Sequence, residues 1–287
     1  MSRRFLDLHT HSTASDGSLE PADLIAAADR AELAAVALTD HDTTAGLPEA
    51  QSAATQYPQL TLVPGVEVSA LSHVGPMHIL GLGIDETSQP LVAMLREVRR
   101  ARAERNPRIL QKLAELGIEL NWSDVLALAG GRSDAIVSRA HIAEALRRAG
   151  VVRSVKEAFE KYVGIGGQAY VEKDRLAPGE VIRTLRDADG LVALAHPGLL
   201  EIRNRAQLHE TLRMLKHKGL EAVEVYHSDH DARTTRVLLD LAGELSLMVV
   251  GGSDFHGHAK PQVALGRPRF SMGAAGNALL ERLGIPA

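Results

Sequence analysis

Histidines and carboxylates recur in short pairs along this chain, beside runs of Val, Ile, Leu and Ala. His9-Thr10-His11, Asp40-His41 and Asp254-Phe255-His256 are the tightest, with Asp16, Glu67, His78 and His196 between them. On extended backbone, side chains at i and i+2 point the same way, so His9 and His11 can both reach one ion, as can Asp254 and His256. Imidazole and carboxylate donors without thiolate suit Mn²⁺, Zn²⁺ or Fe²⁺, and the number of donors exceeds what one four-coordinate ion takes up. Two or three ions sharing a bridging carboxylate such as Glu67 fit that number better. Asp16 lies in Ser15-Asp16-Gly17, a turn leading back toward His9 and His11. Gly251-Gly252, just before Asp254, reads as a place where small residues let the backbone approach a ligand.

These residues work together only if the fold gathers them. Seven apolar runs read as strands: Phe5 to Leu8, Ala34 to Leu38, Leu60 to Val68, Met77 to Ile84, Leu191 to Ala195, Ala222 to Tyr226 and Leu247 to Val250. Helix-like segments separate them, which predicts a mainly parallel α/β sheet. One helix enters through Glu20-Pro21, and another spans Pro178 to Asp187 with Gly190 beyond its end. Nearly all the candidate ligands follow a strand or sit near its end, and strand ends form the active-site face of α/β folds. Periodicity alone leaves open whether the sheet closes. About a hundred residues separate Ile84 from Leu191, far more than one crossover helix needs. Helical patterns at Leu91 to Leu116, Trp122 to Leu128, Arg139 to Ala149 and Val155 to Val163 fill the gap. The expected division is a discontinuous barrel domain, 1–97 and 174–287, with a helical subdomain inserted at 98–173.

Other histidines are read differently. His73, His209 and His217 fall in loop or helical segments and are expected to be ordinary surface or hydrogen-bonding residues. His227, His230 and His258 stay ambiguous, His227 because no carboxylate stands at ligand spacing from it. The chain of 287 residues carries 13 His against only four Phe, four Tyr and one Trp, and a net charge of −4. That charge argues against stable duplex DNA binding, which favours a positive surface. No apolar run approaches the roughly 18 residues of a spanning helix. Cysteine is absent, which removes disulfides and thiolate chemistry and is compatible with the expected cytoplasmic location.

Asp7-Leu8-His9-Thr10-His11-Ser12 with Ser15-Asp16-Gly17, Leu38-Thr39-Asp40-His41-Asp42, Pro64-Gly65-Val66-Glu67, His78, Ala195-His196-Pro197 and Gly252-Ser253-Asp254-Phe255-His256 together resemble the polymerase and histidinol phosphatase (PHP) family of metal phosphoesterases. The resemblance implies a distorted (β/α)7 TIM-like barrel with a polynuclear centre, Mn first and Fe or Zn as alternatives. It also implies nine ligands: His9, His11, Asp16, His41, Glu67, His78, His196, Asp254 and His256. His9, His11, His41 and Asp254 are expected to be central to catalysis. None of the nine is substituted.

The insertion is similar to one branch of that family. Ser138-Arg139-Ala140-His141, then Ala158-Phe159-Glu160-Lys161-Tyr162 and Ala169-Tyr170-Val171, resemble the subdomain of 3′,5′-nucleotide bisphosphatases and related 5′-to-3′ exoribonucleases, with Ala140 where the branch commonly has Pro. Charge supports an anionic substrate independently of the resemblance. Arg96 to Arg108 holds six Arg and two Glu, and Arg132 to Lys156 six basic and two acidic residues. A guanidinium presents paired donors that match phosphate oxygens. Arg102, Arg105, Arg139, His141 and Asp16 are the expected substrate contacts, with Tyr170 or Trp122 either stacking on a base or packing in the subdomain. The expected reaction is hydrolysis of the 3′-phosphate of a nucleoside 3′,5′-bisphosphate of the adenosine type. A 5′-to-3′ exoribonuclease acting on short 5′-phosphorylated RNA is the alternative, and histidinol phosphate a weaker one. A non-catalytic, metal-stabilised accessory module is the reading from a different class. The physiological metal, base preference, oligomeric state and the group that protonates the leaving oxygen stay open.

Overall fold

All seven expected strands form, and an eighth short strand that the sequence pattern does not announce joins them. The structure is a computed structural model that describes residues 4–72, 74–131, 137–172 and 176–286. In chain order the elements are β1 (Phe5–Thr10), α1 (Pro21–Arg30), β2 (Leu33–Leu38), α2 (Leu47–Ala54), β3 (Thr61–Ser72), β4 (Gly75–Leu82), α3 (Gln89–Glu115), α4 (Trp122–Leu128), α5 (Arg139–Arg148) and α6 (Val155–Ala158). A π-helical turn, Phe159–Val163, extends α6. Then come α7 (Pro178–Asp187), β5 (Leu191–Leu194), α8 (Arg205–His217), β6 (Ala222–Tyr226), α9 (Ala232–Glu244), β7 (Met248–Gly251), β8 (Phe270–Ser271), α10 (Met272–Ala275) and α11 (Asn277–Arg282). Among the described residues no helix is long and apolar enough to cross a membrane.

The strands form one sheet in the order β7-β6-β5-β4-β3-β2-β1-β8. Pairing is parallel from β1 to β3 and from β5 to β7. The exception is β4, antiparallel to both β3 and β5. Its direction has a local cause: Ser72 pairs with Gly75, and a connection that short permits only a hairpin. His78, the fourth residue of β4, therefore lies at the same end of the sheet as the C-terminal ends of the parallel strands.

The sheet curves until its first and seventh strands meet. Asp254 N–H donates to His9 O at 2.9 Å and His11 N–H to Phe255 O at 2.9 Å, so the segment leaving β7 closes the rim against the end of β1. Gly252 makes this approach possible, since a Cβ there would lie 2.3 Å from the His9 Cβ. Gly251 is equally confined, with Tyr226 and Phe270 within 3.1 Å of where its Cβ would be. Gly252 thus serves strand closure, while Gly251 makes room for Tyr226 and Phe270.

Alternation along the strands separates two apolar layers. Val36, Leu38, Val66, Val68, Val192 and Leu194 pack outward against the surrounding helices. Ala35, Ala37, Val63, Leu80, Leu82, Ala193 and Ala222 face inward with Phe270, and Leu279, Leu280 and Leu283 of the C-terminal segment join them. Small side chains suit a narrow barrel interior. A third apolar cluster, from Ile109 to Val171, belongs to the helical insertion. Helix α3 links the layers: Leu91 and Leu95 pack in the outer barrel core, while Ile109 and Leu113 pack in the insertion. Residue 98, the expected start of the subdomain, falls inside this continuous helix.

Candidate metal centre

The inward face of the barrel changes character toward one end. On β3, Val63 lies in the apolar layer and Glu67 two positions beyond Gly65 on the same side; on β4, Leu82 and Leu80 lead in the same way to His78. Strand β1 reaches the polar layer through an irregularity. Asp7 pairs with Val36 but Thr10 with Leu38, so β1 carries one extra residue there. Such a bulge re-aims the side chains that follow it. Leu6 and Leu8 can therefore sit in the inner core while His9 and His11 both reach the polar end.

Glu67, fully buried, is the hub. Its Oε2 lies 3.2 Å from His9 Nε2, 3.2 Å from His11 Nε2 and 2.9 Å from His41 Nδ1. Its Oε1 lies 2.8 Å from His78 Nδ1 and 3.0 Å from His196 Nε2. Asp254 Oδ1 stands 3.1 Å from His11 Nε2, and Asp16 Oδ1 stands 3.3 Å from His256 Nε2. Among the described residues the expected ligands fall into three groups with donor atoms within 4.8 Å of one another: His9, His11, Glu67 and Asp254; His41, Glu67 and His78; and His11, Asp16, His41 and His256. Eight of the nine expected residues belong to these groups, and His196 joins through Glu67. Glu67, His11 and His41 are each shared between two groups, the pattern that adjacent ions with common ligands require.

The chemistry of the donors fits cations. His9 Nε2, His11 Nε2, Asp16 Oδ1, His41 Nδ1 and Glu67 Oε2 are buried without a hydrogen-bond partner, although buried polar atoms are nearly always satisfied. Burial works against ionised carboxylates here, but His41, His78 and His9 hold Glu67 well below the usual range. In the same way Lys260, His256 and His9 overcome burial at Asp254, and His41 and His256 overcome it at Asp16. Burial pushes His78 down to about 4 despite Glu67, leaving the ring neutral. Ionised carboxylates and neutral imidazoles are the forms that bind metal. His256 donates from Nδ1 to the Asp254 carbonyl at 2.8 Å, which leaves the Nε2 lone pair facing Asp16.

A second layer of carboxylates holds the loops that carry these groups. Asp40 accepts from Ser12 N at 2.8 Å and from the Ser12 and Ser15 hydroxyls at 2.6 Å, fixing the loop between His11 and Asp16. Asp7 accepts from Ser253 N, Ser253 Oγ and Gly266 N at 2.6–2.8 Å, fixing the loop that bears Asp254. Asp42 accepts from Ser69 N at 2.8 Å and pairs with Arg102. Asp42, His196 and Asp254 all adopt positive φ, strained backbone of the kind that clusters at functional sites.

Sequence reasoning missed two residues and left a third ambiguous. Glu224 lies fully buried beneath His9 and His196, and its signal was a carboxylate inside the apolar run Ala222-Val223-Glu224-Val225. Lys260 contacts Asp254 Oδ2 at 2.5 Å, and no ligand spacing pointed to it. His227 does find carboxylates in space, with its Nε2 3.5 Å from Asp254 Oδ2, because the fold supplies what local spacing lacked. His230 uses both ring nitrogens on backbone, at Val225 O and Gly198 N. His258 lies in the short turn Gly257–Ala259, His209 and His217 lie on α8, and His73 is outside the described residues.

The insertion walls the other side of a cleft of about 270 Å³, lined by Asp16, His41, His78 and His256 on the barrel and by Arg102, Arg105, Arg139 and Phe159 across it. The arginines have partners within the protein. Arg102 pairs with Asp42, Arg105 donates to Asn106 Oδ1, and Arg139 donates to Val163 O at 3.1 Å while lying over Phe159 and Tyr170. His141 caps α5, accepting from Ser138 N–H at 3.0 Å through Nδ1. Trp122 is exposed at the start of α4 and does not line this cleft, and Tyr170 packs on Arg139 and donates to Glu172. Phe159 is the aromatic that reaches the cleft.

A barrel whose polar end gathers shared imidazole and carboxylate donors beneath an arginine-lined wall defines a metal-dependent phosphoesterase. The chain belongs to the PHP family: the PHP domain matches residues 7–176. It is 32% identical over 262 residues to the 5′-3′ exoribonuclease Rnm of Salmonella typhimurium, covering 91% of this chain and 88% of the relative. It is also 32% identical over 257 residues to the 3′,5′-nucleoside bisphosphate phosphatase of Chromobacterium violaceum, covering 88% and 87%. A solved structure from Bifidobacterium adolescentis, assigned in name to the metal-dependent phosphoesterases, superposes with a TM-score of 0.86 at 32% identity over 96% of both chains.

Proposed function

We propose that this enzyme removes the 3′-phosphate from nucleoside 3′,5′-bisphosphates, of the adenosine type, giving the 5′-monophosphate and phosphate. The sharing of Glu67 between donor groups, within a cleft whose far wall carries Arg102, Arg105 and Arg139, supports the reading most directly. His9, His11, Asp16, His41, Glu67, His78, His196, Asp254 and His256 would hold two or three divalent ions, Mn first and Fe or Zn as alternatives. When bound, such ions supply Lewis acidity to the phosphoryl oxygens and to the attacking water. The protein's own groups position the substrate. Arg139 is pre-ordered by its two aromatic neighbours, and the insertion, 98–173, acts as the recognition subdomain over the barrel of 1–97 and 174–287. It would hold the 5′-phosphate while the 3′-phosphate meets the ligand cluster. The same reading places the enzyme in the cytoplasm, with no membrane or duplex DNA partner.

A second reading is a 5′-to-3′ exoribonuclease acting on short 5′-phosphorylated RNA, because a 3′,5′-bisphosphate resembles the end of such a strand. The similarity to the Salmonella exoribonuclease favours it. One assay separates the two: phosphate or nucleotide release with Mn²⁺ from a 3′,5′-bisphosphate, a 3′-monophosphate and a 5′-phosphorylated oligoribonucleotide. One charge-assisted Arg contact to the 5′-phosphate should favour the bisphosphate over the 3′-monophosphate by roughly tenfold to a hundredfold in kcat/KM. Arg139→Ala should shrink that ratio. Equal turnover of bisphosphate and 3′-monophosphate would sink recognition of the second phosphate, and faster turnover of the oligonucleotide would favour the nuclease.

A further inference from the structure

Glu224 lies one layer below the cluster, on the inward face of β6, and no expected role covers it. Its two oxygens are divided between two strands. Oε1 lies 3.0 Å from His9 Nδ1, and Oε2 accepts the backbone N–H of His196 at 2.6 Å. His9 belongs to the end of β1 and His196 follows β5, so one buried carboxylate ties together ligands that enter from separate parts of the barrel. Both partners are donors. The His196 N–H has no other role available, and an imidazole facing an ionised carboxylate carries its proton on the facing nitrogen.

We infer that Glu224 is the positioning residue of the metal centre: it fixes His9 in the Nδ1–H tautomer, so that the Nε2 lone pair points at Glu67 and Asp254, and it holds His196 at its strained backbone angle. The inference rests on the proposed metal centre and adds to it a residue outside the nine. The geometry has two consequences. His9 Nε2 is left buried without a hydrogen-bond partner, beside Glu67 Oε2 at 3.2 Å and Asp254 Oδ1 at 3.5 Å. The φ of +28° at His196 is unfavourable for a residue with a side chain, and the bond to Glu224 is what the strained peptide receives in return.

The trio His9, Glu224 and His227 also brings donor atoms within 4.8 Å, which invites reading Glu224 as a direct ligand of another ion. The tautomers oppose that. His227 Nδ1 accepts the Asp229 N–H at 3.1 Å, so the neutral ring carries its proton on Nε2 and has no lone pair left there. His9 Nδ1 is already committed to Glu224. Partners of this kind orient a ligand and raise its basicity without touching the metal.

Glu224→Gln tests the inference with almost no change in volume. A glutamine offers one carbonyl oxygen and one NH₂, so it can accept from only one of the two donors and must set its own hydrogens against the other. In the full-length protein, Mn²⁺ binding by equilibrium dialysis should weaken by about 10- to 100-fold while the number of ions bound at saturation is unchanged. In the Zn²⁺-loaded protein, where the ion has displaced the Nε2 proton, histidine ¹⁵N spectra should show His9 losing its pure Nδ1–H form, with the assignment made from a His9→Ala sample. Activity should recover toward wild type as Mn²⁺ is raised. Wild-type Mn²⁺ affinity with an unchanged His9 tautomer in a folded Glu224→Gln protein would overturn the inference, as would loss of one ion from the stoichiometry, which would make Glu224 a direct ligand. Should Glu224→Gln fail to fold, Glu224→Asp gives the same readout, because its shorter carboxylate can reach only one of the two donors. The binding measurement involves no substrate, so failure of the bisphosphatase reading would leave this result standing.

Discussion

Gly252→Ala adds one methyl group, and the structure says where it lands. Its Cβ would stand 2.3 Å from His9 Cβ, 2.5 Å from His9 N and 2.8 Å from His9 Cα. Ordinary contact begins near 3.4 Å, so the two segments must part by about 3.4 − 2.3 = 1.1 Å. No side-chain rotation relieves the clash, because the atoms struck are the Cβ and backbone of β1. The seam they form carries the 2.9 Å bond from Asp254 N to His9 O, and it sets the spacing between His9 and Asp254. Overpacking of this kind costs about 1–3 kcal/mol. For a chain of this size that lowers Tm by roughly 2–12 °C. The effect on the site should be larger, because metal ligation tolerates displacements of only about 0.2 Å. A shift of about 1 Å at reacting groups costs on the order of 100-fold in rate. Bound metal per chain by elemental analysis, Tm by calorimetry and kcat/KM should therefore all fall. Gly243→Ala in α9 is the matched control: nothing lies within 4 Å of its Cβ, and an alanine in a helix is neutral to slightly stabilising. A Gly252→Ala protein with wild-type metal content and Tm would refute the account of barrel closure.

Arg102 and Asp42 form a buried pair at the cleft, with side chains 9% and 0% exposed, so Arg102→Ala takes this cation away from a buried carboxylate. The expected loss is about 3–5 kcal/mol in urea unfolding, with Arg102→Lys recovering only part because an ammonium lacks the planar fork. A loss below about 1 kcal/mol would mean that the remaining partners of Asp42, Ser69 among them, satisfy it without Arg102. Metal retention should also depend on pH. At His9 burial opposes the charge, but Glu224, Glu67 and Asp254 raise the imidazole well above its usual range; at His41 Glu67 and Asp16 likewise outweigh burial. A binding ion must displace these protons, so apparent Mn²⁺ affinity should rise with pH through neutrality and fall as the medium becomes acidic. Dialysis at several pH values showing constant affinity would contradict this. The sign for the apoprotein is opposite: raised imidazoles stabilise the fold below their unfolded pKa, and that contribution fades as pH rises through their folded values.

Residue chemistry and short-range spacing were legible in the sequence because both are local. His9 and His11, Asp254 and His256, the apolar runs of β2 and β6, and α7 between Pro178 and Gly190 each declare themselves within a few residues, through side-chain type, alternation and capping. Tertiary structure decided whatever depends on pairing between distant segments. The direction of β4 puts His78 at the polar end, and the extra residue in β1 turns His9 inward beside Leu8. Gly252 proved to serve contact with a strand more than two hundred residues away. In sequence Glu224 is only a carboxylate within an apolar strand; the fold sets His9 above it and the His196 peptide against it. Arg139, expected from its sequence setting as a substrate contact, is placed by the fold against Phe159 and Tyr170 and gives a hydrogen bond to Val163. A periodic pattern says which faces a segment has, but register, strand direction and hydrogen-bond partner follow from which other segment it meets.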